Sequence, residues 1–392
     1  MASPIAPTIL TYLSGLEDAV GELANTWRRD DPAYRADVYR QIMMNLSYAY
    51  FVYFHADAEH PDWAPLWNPV YLMQPNPDDI YLYSPIRGDL TYRVSGNRGT
   101  CKLVTFTTSF QTAGLTDELD NIEHNKDIDD RDLKLEENGN FELLIGSKRP
   151  AEYAGNWMQI APKSNVVMVR YRSWDWANER DPQLSIECLE KVPLKQRPTP
   201  EQIVARIQAM CRFTRNMARM FYTMQNGVKE RVGINVFEPI RYGPGLQKQI
   251  YWPAVFELDD GEALIIETDM PAVRPYWNIQ LNDPYFNAVE FVYRLGSLNG
   301  ATARISSDGK LRAVIALEDP GVPNWLDPSG YKQGTVYGRW YDCDSNPTPT
   351  IRRVSLAALR EHLPKDTPVI TPADREVEIR ERVRAAQRRR RW

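Results

Sequence analysis

One segment constrains the architecture more than any other. Thr199 has the look of a helix N-cap, Pro200 suits the first helical position, and Gln202 completes a capping box. From there Ile203, Ile207, Met210, Thr214, Met217, Phe221 and Met224 recur at spacings of four and three, and Gly227 is positioned to stop the helix. A single face sustained over about six turns needs apolar partners along its whole length. The rest of the chain must therefore supply a packed surface for this face. The methionine stripe reads as core rather than as a cofactor box.

Both flanks are rich in β signals. Ile80 to Tyr83, Thr91 to Val94, Leu103 to Thr108, Phe141 to Ile145 and Val166 to Tyr171 are short β-branched or aromatic runs. Asn97-Arg98-Gly99 and Asn138-Gly139-Asn140 punctuate them as turns. Downstream, Glu262 to Glu267 and Leu311 to Leu317 read as strands, and Asp308-Gly309 as a hairpin turn. The acidic stretch Asp117 to Glu137 reads as a solvated loop. Leu13, Leu16, Val20, Leu23 and Trp27 predict an N-terminal helix, and a second helix is expected from Pro32 to Phe54. Near the end, Thr371-Pro372 opens an Arg- and Glu-rich helix whose basic run, Arg388 to Arg391, reads as a solvated helix end.

The expected class is α+β and β-rich, with antiparallel, jelly-roll-like β-sandwich domains. The expected division is a helical segment over 1–60, a β-rich domain over 61–192, a connecting helix over 199–227, a β-sandwich over 232–370 and a basic helix over 371–392. With 392 residues there is enough chain for two such domains.

Composition excludes several function classes. A net charge of −5 gives no field for nucleic acid or an anionic membrane. No apolar run is long enough to span a bilayer, and Met1 to Thr11 lacks the regions of a signal peptide. The four cysteines are scattered without a Cys-x-x-Cys pair, which fits a reduced cytoplasmic chain and no zinc site. Four scattered histidines offer no His-rich metal centre, and dinucleotide, Walker and nucleophile-elbow motifs are absent. No cofactor and no metal are expected. Of the histidines, His55 and His124 are the general-base candidates. Against this plain background, 11 Trp and 21 Tyr suit an aromatic-lined pocket.

Four polar-aromatic clusters can carry chemistry. Trp174-Asp175-Trp176 with Glu179 follows the strand holding Arg170 and Arg172; Asp175 is either an acid/base carboxylate or a turn closer. In Arg274 to Asn287, strand alternation puts Tyr276, Asn278 and Gln280 on one face and Trp277, Ile279 and Leu281 on the other. That polar face lines a cavity or meets solvent. In Glu318 to Asp327, the residues Asp319, Asn324 and Asp327 either cap backbone groups or supply an acid, an amide and a base, with Trp325 between them and Arg339 downstream. Asn76-Pro77-Asp78-Asp79 precedes Tyr81 and Tyr83, a phenol pair on one strand face.

The ordered run Tyr276-Trp277-Asn278-Ile279-Gln280-Leu281, Ser307-Asp308-Gly309, Asp319-Pro320-Gly321-Val322, Asn324-Trp325-Leu326-Asp327 and Arg339-Trp340 resembles the bacterial domain of unknown function 1214, often found with domain 1254. The resemblance is strong over Glu262 to Pro364. It implies a C-terminal β-sandwich with helical additions. Many members carry Asn-Trp-Leu-Pro where this chain has Asn324-Trp325-Leu326-Asp327, which marks a subgroup. The family brings no established catalytic residues.

The expected function is a cofactor-independent enzyme of bacterial catabolism. It would perform elimination, isomerisation or hydrolysis on a small aromatic, hydrophobic or glycosidic substrate. The expected catalytic residues are Asp175, Asp319, Asp327, Tyr83 and Arg274. The expected substrate-binding residues are Tyr276, Trp277, Asn278, Gln280, Trp174, Trp176, Asn324, Trp325 and Arg339. A non-catalytic binder of a carbohydrate or hydrophobic ligand, and a structural assembly protein, are the alternatives. A small molecule and a homo-oligomer are the expected partners.

Overall fold

The computed structural model describes residues 9–24, 32–109, 115, 124–191, 194–241 and 246–389. The N-terminal helical face is split into α1 (Ile9–Leu13) and α2 (Leu16–Ala24). Gly15 lies at the break, where a Cβ would be in ordinary contact with Cys211 of the long helix at 3.4 Å. Trp27 lies outside the described residues. The second helix, α3 (Pro32–Tyr50), continues through a wider turn over Phe51–His55.

The first β-rich region is a sandwich of β1 (Ala64–Pro65), β2 (Asp79–Pro85), β3 (Tyr92–Asn97), β4 (Leu103–Ser109), β5 (His124–Asp129), β6 (Asn140–Gly146), β7 (Asn156–Gln159), β8 (Val166–Arg172) and β9 (Gln183–Cys188). One sheet runs β1-β2-β8-β4-β5 and the other β7-β6-β3-β9. Their facing sides close over Ile80, Val104, Phe106, Val169, Tyr92, Leu143 and Ile145. β5 lies inside the acidic stretch expected to be a loop. It is an edge strand, and only its pairing to β4 commits it, so local composition gives little sign of it.

The capping box at Thr199 and Gln202 is present, at 2.9 and 3.3 Å. However, α4 spans Pro200–Val232, beyond the expected stop at Gly227. An interior glycine costs a helix only about 1 kcal/mol. The terminus needs a positive φ, and Gly233 supplies it at +84°.

The second region contains β10 (Gln249–Glu257), β11 (Glu262–Thr268), β12 (Tyr276–Asn282), β13 (Ser297–Asn299), β14 (Leu311–Ala316), β15 (Trp325–Leu326), β16 (Gln333–Tyr341) and β17 (Thr350–Ser355), followed by α5 (Pro372–Arg388). Its sheets are β10-β16-β12-β13 and β15-β14-β11-β17. Trp252, Trp277 and Trp340 fill the core between them, with Leu264, Ile266 and Ile315 opposite. Gly338 is required there, because a Cβ would overlap the Trp252 ring. Two pairs, β6 with β7 and β14 with β15, are parallel, so the sheets are not wholly antiparallel. Among the described residues no helix is long and apolar enough to cross a membrane.

Candidate functional site: a polar layer between two sandwiches

Strand alternation decides what the two sandwiches show each other. On β2 and β8 the residues facing away from the first core are Asp79, Tyr81 and Tyr83, paired in register with Arg172, Arg170 and Met168; Thr105 and Thr107 of β4 continue this face. On the second sandwich the equivalent face carries Tyr276, Asn278 and Gln280 of β12, Tyr341, Arg339 and Tyr337 of β16, and Gln249 and Tyr251 of β10. Such faces usually meet water. Here they meet each other, and most of these side chains are buried.

One end of the layer is closed by a saturated network. Asp79 binds Arg172 with both oxygens, at 2.6 and 2.7 Å, and Arg172 reaches across to Gln249 at 3.0 Å. The same guanidinium lies 4.2 Å from the Tyr276 ring centre and 5.3 Å from that of Tyr341. Burial opposes the charge on Asp79, but Arg172 outweighs it and holds the carboxyl below its ordinary value. Asp78 points into the second sandwich. Tyr276 Oη, Asn299 Nδ2 and Trp176 Nε1 donate to it at 2.6, 2.7 and 2.8 Å. Neutral donors compensate burial only in part, and its pKa is pushed up to about 6. Asn76 links the two sandwiches, donating to Tyr276 Oη and accepting from Asn278, both at 2.8 Å. Arg339 donates to Gln280 and Gln74, each at 2.7 Å.

Beyond this network the layer turns apolar. Tyr81, Tyr83, Phe286 and Tyr337 join Tyr48 of α3 and Phe213, Met217 and Met220 of α4 in one buried cluster; Met168, Tyr251, Trp67, Met73 and Met224 pack on it and stay partly exposed. Met168 is accessible although its strand has neighbours on both sides. Tyr48 Oη and Trp67 Nε1 are buried together in this cluster, where burial raises the pKa of the Tyr48 phenol and Trp67 opposes the shift. These features place partly accessible rings and thioethers beside a polar wall. At the layer's edge, near Thr105, Asp127, Asp129, Lys248 and Tyr341, there is also a cavity of about 370 Å³.

The residues expected from sequence divide between this layer and elsewhere. Tyr276, Asn278, Gln280 and Arg339 line it. Trp174 meets the Tyr276 ring edge-on at 6.1 Å, and Trp176 binds Asp78. Tyr83 is buried in the apolar cluster. Trp277 faces the other way, into the second core. Asp175 closes a turn, accepting from Ala177 N and Asn178 Nδ2. Asp319 accepts from Gly321 N and pairs with Arg375 of α5, at 2.9 Å in each case. Asp327 accepts from Ser329 N and pairs with Arg294, and burial raises its pKa. Asn324 holds a left-handed turn at φ +57° by bonding the backbone of Arg304 and Arg312. Trp325 donates to Ala316 O, and Arg274 is exposed, binding Pro271 O. Asp175, Asp319 and Asp327 are thus placed by separate local contacts and do not meet in one cavity. His55 pairs with Asp62 at 3.1 Å, and the side chain of His124 lies outside the described residues.

Site residues absent from the expected set are Asn76, Asp78, Asp79, Arg170, Arg172, Gln249 and Asn299. The Asn76-Pro77-Asp78-Asp79 run before a strand and the Arg170-x-Arg172 alternation were available signals. Gln249 and Asn299 had none.

The family described as "Protein of unknown function (DUF1214)" matches residues 83–173 and 259–345. The chain belongs to this family. The two DUF1214 segments hold Arg170 and Arg172 on one side of the layer and Tyr276, Asn278, Gln280 and Arg339 on the other. No curated protein matches the sequence. Among solved structures, an uncharacterised protein from Burkholderia cenocepacia is similar at 25% identity and TM-score 0.82, over 89% of this chain and 97% of that one. A protein from Vibrio parahaemolyticus aligns at 12% identity and TM-score 0.46, over 87% and 100%.

Proposed function

We propose that the protein binds a small apolar molecule in the cleft between its two sandwiches. The observation that carries this reading is the partly accessible lining of Met168, Tyr251, Trp67 and Met224 inside an otherwise closed layer. Rings and thioethers around a few polar groups suit a small hydrophobic ligand. Asp79 is already held by Arg172, so it is not a free acid in the cleft. The four free thiols fit a reducing compartment, so we place the protein in the cytoplasm.

The test is a fluorescence titration with phenylnaphthylamine, a neutral dye that brightens in apolar surroundings. Saturable binding is expected, with loss in Met168→Trp and in Tyr251→Trp, which fill the cleft from opposite walls. Absence of saturable binding in the wild type refutes the proposal. Turnover at this site is the second reading, and Asp78 favours it. Its carboxyl, raised to about 6, can hold or release a proton near neutral pH, while burial keeps the Tyr276 phenol protonated as its hydrogen-bond donor. Loss of a measured activity in Asp78→Asn with unchanged dye affinity would support turnover.

A further inference from the structure

The charge on the wall of the cleft narrows the ligand class. β8 presents two arginines to the layer, and they are treated differently. Arg172 has the full attention of Asp79. Arg170, only 9% exposed, makes one side-chain hydrogen bond among the described residues, from Nη1 to the neutral Thr107 Oγ1 at 2.7 Å, and no ion pair. Arg339, 2% exposed, is likewise served by neutral oxygens, those of Gln280, Gln74 and Asn278. Both guanidiniums act on the Tyr81 phenol, and the Arg170 guanidinium lies 5.7 Å from that ring centre. Of the carboxylates on this face, Asp79 is paired with Arg172, while Asp127 and Asp129 of β5 make no ion pair with Arg170 or Arg339 among the described residues; Asp78 is held by neutral donors on the other side of Tyr276.

Arg170 and Arg339 share the field of Asp79 with Arg172 but have no carboxylate in contact, and a buried guanidinium without a contacting counter-ion favours an anion. Direction matters as well. The Arg170 side chain leans toward Thr107, the register partner of Met168, and so toward the apolar part of the layer. An arginine fork aimed along a wall of rings and thioethers suits an oxyanion carried by an apolar body.

Resting on the cleft reading above, we propose that the ligand is an amphipathic anion. Its carboxylate-type head is bound by the free N–H groups of Arg170, in the positive field of Arg339, and its apolar body lies along Met168, Tyr83 and Tyr251.

The test compares two dyes with the same ring system, anilinonaphthalene sulfonate and the uncharged phenylnaphthylamine, on the full chain and on Arg170→Met. Loss of a charge-assisted contact should weaken the sulfonate dye about tenfold or more while moving the neutral dye by no more than about twofold. If Arg170→Met unfolds, Arg170→Gln replaces it, with a cooperative thermal melt as the control for folding. Weakening of both dyes equally, or of neither, overturns the head-group assignment while leaving the cleft intact. Failure of the neutral dye to bind the wild type removes the cleft itself, and this inference with it.

Discussion

Replacing Asp79 by leucine tests how the layer is held. Asp79 is fully buried and Arg172 is 2% exposed; their two contacts, at 2.6 and 2.7 Å, form a bidentate pair. Removing the carboxylate leaves a guanidinium in a site that water does not reach. Its other contacts, Gln249 at 3.0 Å and the rings of Tyr276 and Tyr341, are neutral. Breaking a buried pair from one side costs about 3–5 kcal/mol, whereas replacing both partners by apolar groups is often close to neutral. Asp79→Leu and Arg172→Met should each lose about 3–5 kcal/mol, and the double variant should recover to within about 2 kcal/mol of the wild type. Urea unfolding, followed by tryptophan fluorescence, measures all three. The pH sign is fixed too. With its carboxyl held below the ordinary 3.8, Asp79 contributes stability above that value and loses it as pH falls further. Single variants costing under about 1 kcal/mol, or a double variant no better than the singles, would refute this account of the pair.

Three other outcomes follow from neighbouring contacts. Asp78 titrates near 6 when folded against 3.8 ordinarily, so the unfolded chain holds fewer protons between these values. Its contribution therefore falls by about 3 kcal/mol as pH rises from about 4 to 6, and Asp78→Asn should flatten the stability profile by that amount in paired urea titrations. Gly338→Ala should cost more than about 2 kcal/mol in the same assay, because the new methyl meets the buried Trp252 ring. Arg389→Ala should raise amide exchange at the start of β2, since this side chain donates to the carbonyls of Asp78 and Tyr171 and pairs with Asp181.

Much of the fold was readable from local signals. The Thr199 capping box, the strands from Ile80 to Tyr171 and the Asp308-Gly309 turn each depend on neighbours close in sequence. The alternation of Tyr276, Asn278 and Gln280 against Trp277, Ile279 and Leu281 was readable as well. Whether its polar side met water or a cavity was not, because the covering sheet lies two hundred residues away at Asn76. The Glu318 to Asp327 carboxylates looked chemical because turn formers and candidate acids are the same residue types. Only their backbone donors and arginine partners distinguish the roles. The Arg388 to Arg391 run fits a solvated helix end by charge pattern alone. Arg389 is nonetheless buried against the first sandwich, where Asp181 and two backbone carbonyls wait for it.

The most direct test of the central claim is a crystal structure of the protein with phenylnaphthylamine bound. The account predicts the dye between the sandwiches, its rings against Met168 and Tyr251. Dye density elsewhere on the molecule, with the Met168 and Tyr251 side chains undisturbed, would contradict it.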